Sequence, residues 1–497
     1  MTSRTDSAKR PFIASLLAGF AVVAGGAGAS FLAPSANAKP PAAAGFCVTY
    51  PESKLCHSGF TECATCHTTA PARNLFGVEV ADRMAKGQAR PLSDSAFLAA
   101  LPDALKAVEN LDADGDGASN LTEILAGTKL ADASSAPISL ACNAAQASRA
   151  KTGRWNVCGY DPEFAFRKVN LDFCGKSPSK AELDAFRKLR GNDTAWRAAM
   201  NKTLDTCLSS KYWLGNGGIV WNLANPKVRP AHTIKSGANP GPVPLGDYDD
   251  DYNLFSYANS GDRDVRDLMQ AQYFVTRVSD DPVKFEIAAE DKVRRSQNVP
   301  KEKRVGMLTT RWNAALNTMF TPIPRTNAAQ AYRAYLGYDI AKMEGLDPNA
   351  HEPDDFDSKG VKDEECAACH RTLDPITYPF TRYNGFFAFN YASERMNGFV
   401  RTDGPRVVET PEHGILLGKP VKDLLEWGQV AANSDPFAKK VVLDYWTVLV
   451  GRPPEAQPQD NAEYTNLWRG LKDKAVYDYR VEKMLHGLIF TNAYGRP

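Results

Sequence analysis

The chain carries almost no net charge. Its 59 Lys and Arg face 58 Asp and Glu, which leaves +1 over 497 residues, and basic runs are few. A nucleic-acid-binding protein needs a basic patch to meet phosphate, so that class has no electrostatic footprint here. Beyond residue 32 no apolar run approaches the ~20 residues that span a bilayer. Strand signals are few, no Ser/His/Asp or metal-hydrolase constellation stands out, and no internal repeat is evident beyond one five-residue pattern. With 43% hydrophobic and 24% charged residues, the composition excludes a disordered, collagen-like or small disulfide-scaffold chain. A prior of ~150 residues per domain gives roughly two to four domains. Cysteine and histidine are scarce, at 10 and 7, so each can be weighed by its position.

Residues 1–38 read as a targeting segment rather than as fold. Arg4, Lys9 and Arg10 make a basic start, Phe12 to Leu32 is apolar but rich in Gly and Ala, and Ser35-Ala36-Asn37-Ala38 offers an A-x-A-like cleavage site. An uncleaved membrane anchor is the alternative, but the Gly/Ala content is poor for a stable span. Cleavage near Ala38 removes three basic groups and one acid, taking the net charge from +1 to −1. The expected product is periplasmic or otherwise exported, with no membrane span.

Four cysteines fall into one pattern used twice, Cys63-Ala64-Thr65-Cys66-His67 and Cys366-Ala367-Ala368-Cys369-His370. C-x-x-C-H is the attachment pattern of c-type haem. Two thiols three positions apart on one helical turn can each add to a haem vinyl group. The adjacent histidine then faces the iron as axial ligand. Chance yields the pattern roughly 0.003 times in a chain of this composition. Zinc needs four ligands, and neither motif has a second cysteine pair nearby. A redox dithiol would not require the histidine. Two covalently bound haem c groups are therefore expected.

The other six cysteines are an even number in an exported chain, which suggests disulfides. Six allow fifteen connectivities. The sequence-local set is expected: Cys47–Cys56, Cys142–Cys158 and Cys174–Cys207.

Residues 112–123 fit D-x-[DN]-x-[DN]-G-x5-E without mismatch. Asp112, Asp114 and Asp116 offer carboxylates, Gly117 the sharp turn, and Ala118 its carbonyl. Asn120 stands at the water-mediated position, and Glu123 can close the site bidentately. Leu121, Ile124 and Leu125 predict an exiting helix that ends near Gly127. Only one such loop is present, so a single structural calcium ion is expected rather than a paired sensor.

Along the chain, residues 39–45 read as a flexible lead, and 46–136 as a small haem module with the calcium loop. Ala131 to Pro137 reads as its exit linker. Residues 140–360 read as a helical region, and 361–497 as a second haem-binding helical region packed with it. The fold class is mainly α. Ser179 and Glu182 form a capping box before Leu183, Phe186 and Leu189. Trp196, Met200, Leu204, Cys207 and Leu208 recur at helical spacing. Lys235 to Leu245 is a Gly/Pro-rich connection, and Asp247 to Tyr257 reads as an irregular acidic, aromatic loop. Helices are predicted at 263–277, 304–320, 326–343, 421–433, 435–450 and 475–490. The acidic run from His351 to Glu365 reads as a solvated linker that could tune the second haem or guide a basic partner.

Two resemblances follow from these residues. Residues 46–136 resemble small bacterial cytochrome modules in which C-x-x-C-H precedes an Asn-x-x-Gly segment, here Asn74-Leu75-Phe76-Gly77, and a D-x-D-G-D-G loop. Residues 160–495 resemble the planctomycete-type cytochromes. The stretches that carry this are Asn170 to Ser179 with Glu182-Leu183, Asp264 to Met269 with Tyr273-Phe274-Val275, Arg304 to Thr309, Cys366 to His370 with Leu373-Asp374-Pro375 and Tyr383-Asn384-Gly385, and Phe490 to Tyr494. What this implies is a helical, haem-bearing redox protein. Cys174 departs from the family's apolar or Thr residue, which fits a disulfide added here.

The sixth ligand on each iron decides function. A His or Met there gives an electron carrier, and an open position permits peroxide or oxygen chemistry. Candidates are His57 and Met84 for the first haem, and Met343, His351, Met396, His413 and His486 for the second. Met396 and His413 lie downstream, where small cytochromes find the distal ligand. His486 sits off the apolar face of its helix, which predicts an exposed histidine. The function expected first is a di-haem electron-transfer protein with other redox proteins as partners. The alternative is a di-haem oxidase or peroxidase with one open iron. A surface binding protein with incidental haem ranks third.

Overall fold

The computed structural model describes residues 41–84, 92–135, 137, 155, 159–230, 248–289, 299–317, 324–340, 367, 370, 373–383, 395–396, 407–408 and 411–497. The leader, the 235–245 connection, the acidic run before the second motif, Cys142, Cys158, Cys366, Cys369, Met343 and His351 lie outside them. The described chain is mainly helical, and its strands form antiparallel pairs. None of its helices is long and apolar enough to cross a membrane.

Residues 41–135 build their own small core. Phe46, Tyr50, Phe76, Val80, Leu101, Leu105, Val108, Leu121 and Ile124 are buried in one cluster. Of the stretch expected as a flexible lead, residues 39–40 lie outside the described residues, and residues 41–45 open a helix, Pro41–Thr49. Gly45 brings it close to Leu98 and Leu101 of the Asp94–Lys106 helix, so the module starts earlier than the composition indicated. The Cys47–Cys56 disulfide staples this helix to the loop after it.

The larger core gathers residues from 165 to 494, with Trp213, Trp312, Trp427 and Trp446 wholly buried. Its helices carry strong terminal signals. Pro162–Cys174 has Asp161 as N-cap, proline in its first turn and Gly175 left-handed at its end. The capping box forms at Ser179 and Glu182, and Cys174–Cys207 joins the first helix to Asp193–Leu208. Asp435–Val450 runs from a Ser434 N-cap to a left-handed Gly451 and buries Phe437, Val441, Val442, Tyr445, Trp446 and Leu449 along one stripe.

Several stretches of the larger core differ from expectation: the helices predicted at 304–320 and 475–490 begin only at Arg311 and Val481, and two other differences are larger. Tyr248–Ala258 is a helix, not an irregular loop. Polar Asp251, Asn253 and Ser256 are buried beside Tyr252, Leu254 and Phe255, so no polar face marks the period. Asp251 accepts a hydrogen bond from Thr310, and burial pushes its carboxyl well above the usual range. Within 263–277 only Asp267–Gln270 is α-helical, and Val275–Asp280 pairs with Val283–Ile287 as a hairpin.

The two cores meet along Pro458–Lys472. That helix packs on Asn120–Ala126 and contributes Ala462 to the small core. Arg469 pairs with the buried Glu109 and lies between the rings of Tyr50 and Trp468, and Lys439 pairs with Glu52.

Candidate functional site

Local chain reversals build the first C-x-x-C-H segment. Cys63–Thr65 make one 3-10 turn, and His67–Thr69 pairs with Ala72–Arg73. Asn74 ties this to the next helix. Its Oδ1 caps the helix by accepting from Gly77 N at 2.8 Å, and its Nδ2 donates to Ala64 O and Thr65 O at 2.9 and 3.1 Å. Gly77 is dictated by a close approach, because a Cβ there would lie 2.0 Å from Cys66 O. The Asn-x-x-Gly segment thus clamps the helix onto the motif.

Cys63, Cys66 and His67 line an apolar cavity of about 250 Å³, walled also by Phe46, Val80, Met84, Phe97 and Leu101. It opens to solvent beside the exposed Cys63 and Glu62. Cys63 and Cys66 are free thiols, while Cys47, Cys56, Cys174 and Cys207 are paired. Burial, with the neighbouring Cys63 adding to it, pushes the Cys66 thiol up to about 11. His67 Nδ1 lies 3.2 Å from Ala72 O. A carbonyl only accepts, so the ring proton sits on Nδ1 and the Nε2 lone pair is left for a metal. Of the two sixth-ligand candidates, Met84 is buried and lines the cavity. His57 is exposed in a turn with Phe60 and is not part of the lining. These residues would suit a flat apolar group attached through the two thiols, with His67 and Met84 as candidate ligands to its metal.

The 112–123 loop is folded around its own carboxylates. Asp112 accepts from Gly115 N and Gly117 N, Asp114 from Asp116 N, and Asp116 from Ala118 N. Oxygens of Asp112, Asp114 and Asp116 lie within 4.8 Å of one another. Oδ2 of Asp114, Oδ2 of Asp116 and Oε2 of Glu123 are buried without a hydrogen-bond partner. Burial, followed by the charges of Asp114 and Asp116, pushes the Glu123 carboxyl up to about 8. Three orphaned carboxylate oxygens fit a hard cation such as calcium. Asn120 does other work. Its Nδ2 donates to Glu79 Oε2 and Val108 O, and its Oδ1 accepts from Ala113 N. The expected exit helix is Asn120–Ala126, ended by a left-handed Gly127.

At the second motif the structure describes Ala367, His370 and 373–383. His370 Nδ1 lies 3.0 Å from Oδ1 of Asp374, which is wholly buried. Arg325 grips the same carboxylate bidentately, Nε to Oδ1 at 2.6 Å and Nη2 to Oδ2 at 2.8 Å. A carboxylate so paired only accepts, which again puts a ring proton on Nδ1, and among the described residues no partner faces Nε2. The sequence places Asp374 in the stretch that resembles the haem block of the planctomycete-type cytochromes, without a role, and does not mark Arg325. The i,i+4 spacing of His370 and Asp374 was the available signal; Arg325 gave none.

The other sixth-ligand candidates scatter. His413 is exposed, next to Gly414, whose backbone lies against Pro375. Met396 sits in a short strand paired with Val407. His486 is half-buried rather than exposed, and both ring nitrogens are engaged, Nδ1 with Asn201 at 2.8 Å and Nε2 with Asp205 at 2.9 Å. It has no free nitrogen for a metal.

Comparison with protein-family models, curated proteins and solved structures finds no match for this chain.

Proposed function

We propose that the protein is an exported di-haem c-type cytochrome that passes single electrons between partner redox proteins. Cys63, Cys66 and His67 would hold one haem, and Cys366, Cys369 and His370 the other. One calcium ion would be bound by Asp112, Asp114, Asp116, the Ala118 carbonyl and Glu123 to pin the small module. The observation that carries the reading is the first cavity, where two free thiols, a histidine with its Nε2 free and a buried methionine face one apolar space. A bound haem supplies reversible one-electron chemistry. The protein's own residues would attach it through Cys63 and Cys66, exclude water through Phe46, Val80 and Leu101, and offer Met84 as a second ligand beside His67. A closed position is the arrangement of a carrier rather than of an oxygen-activating enzyme. The larger domain is taken as a haem domain of the planctomycete-type cytochromes, in which Asp374 follows the second motif.

The test is the spectrum of the purified exported protein and its response to carbon monoxide after reduction. Two low-spin haems that do not react support the carrier. A high-spin, reactive iron at either site overturns it in favour of a di-haem oxidase or peroxidase.

A further inference from the structure

The two motif histidines have partners of different charge. Each presents Nδ1 to an acceptor. For His67 the acceptor is the neutral Ala72 carbonyl at 3.2 Å, in an exposed strand pair. For His370 it is the Asp374 carboxylate at 3.0 Å, with no exposure to solvent. A charge-assisted hydrogen bond is roughly twice as strong as a neutral one. A carboxylate on the outer nitrogen of a ligating histidine also makes the inner nitrogen more basic. A more basic ligand stabilises the oxidised, more positive iron, which lowers its potential.

Arg325 works against this effect but does not cancel it. Its guanidinium binds both Asp374 oxygens and so neutralises the pair as seen from afar. At His370 the negative oxygen is in direct contact, and the guanidinium reaches the ring only through it. Coulomb energy falls with distance, so the nearer charge dominates. Arg325 has a second effect: it fixes the carboxylate in one position, so that Nδ1 has a single acceptor to face.

We infer that Asp374 is a positioning residue for His370, and that its carboxylate holds the second haem at a lower potential than the first. This rests on the di-haem reading above. Asp374 touches the histidine, not the iron, and its role is to set the ligand's tautomer and basicity.

The test is a spectroelectrochemical titration of the full exported protein and its Asp374→Asn variant, with covalent haem counted in each. Both should carry two haems. In Asp374→Asn the lower midpoint should rise by at least the equivalent of a tenfold change in equilibrium constant, about 59 mV for one electron. The upper midpoint should stay, and Asp374→Glu should return the lower midpoint toward the wild-type value. An unmoved lower midpoint with two haems bound, or a shift in the upper one alone, overturns the inference. If Asp374→Asn does not assemble, the wild-type reduction order decides. The spectral component that survives unchanged in His67→Ala belongs to the second haem, and it should be the last to reduce; if it reduces first, the inference is wrong. A wild-type chain with fewer than two haems instead contradicts the di-haem reading, and the haem count separates the two failures.

Discussion

Around His67 every partner is local. Ala72, Asn74 and the motif carbonyls lie within ten residues of the groups they bind. Around His370 the carboxylate is four residues away, but the guanidinium that grips it comes from 49 residues before Asp374. The hydrogen-bond frame of the first motif is therefore a property of a short segment, although its cavity is walled by Phe46 and Leu101 from other helices, whereas the frame of the second is a property of the large fold. Damage should spread accordingly, and four substitutions or treatments test this.

The largest effect is expected from Arg325→Ala. It leaves the wholly buried Asp374 carboxylate without its ion pair, which should destabilise the large domain by about 3–5 kcal/mol. Denaturant unfolding followed by tryptophan fluorescence reads this, since Trp213, Trp312, Trp427 and Trp446 all lie in that core. A loss under ~1 kcal/mol would mean the pair is not a structural element.

Calcium removal should act on the small module instead. At one hundred times its dissociation constant the ion would contribute about 2.7 kcal/mol. A lower melting temperature in chelator than in calcium is the expected result. The pH dependence has a definite sign. In the metal-free fold the Glu123 carboxyl is raised from 4.5 to about 8, so between those values the folded chain holds a proton that the unfolded chain has lost. Metal-free stability should therefore fall as pH rises through that window, and calcium should reverse the trend because it binds the deprotonated form. Equal melting temperatures with and without chelator would remove calcium from the account.

Gly77→Ala should cost about 1–3 kcal/mol, because the new methyl must displace the Cys66 carbonyl. The first haem's spectrum should change while the second haem's does not. Coupled loss of both would show that the haems fold as one unit. Asn74→Ala should cost about 1–2 kcal/mol, since it removes the helix cap together with its hydrogen bonds to the motif carbonyls, with the same one-sided spectral readout.

The same contrast explains what the sequence made legible. The helix Asp435–Val450 is legible in the sequence because its apolar stripe stops at Gly451 and Pro453-Pro454; the Ser434 cap is seen in the structure. The exit helix of the 112–123 loop and the Ser179–Glu182 box were readable for similar reasons, since the signal and its effect lie within one or two turns. Tyr248–Ala258 was misread because burial on all sides erased its period. The predicted 263–277 helix runs into the first residues of the 275–287 hairpin, although the hairpin's outward residues alternate with buried Val275, Val283 and Phe285. In the candidate sites, the C-x-x-C-H and D-x-D-G-D-G residues were visible from spacing alone. The choice of Met84 over His57 was not, because it depends on which side chain the Leu75–Arg83 helix carries to the cavity wall. Asn120 matched its motif position, yet its side chain ties the loop to Glu79 and Val108. Arg325 could not be found from spacing, since only tertiary packing brings it to Asp374.

Covalent attachment at both motifs is read most plainly from the intact mass of the exported protein. That mass should exceed the mature polypeptide's by two haem groups. Cys63→Ser with Cys66→Ser should remove one of them, and Cys366→Ser with Cys369→Ser the other. A mass equal to the bare polypeptide, with all four motif thiols open to alkylation, would contradict it.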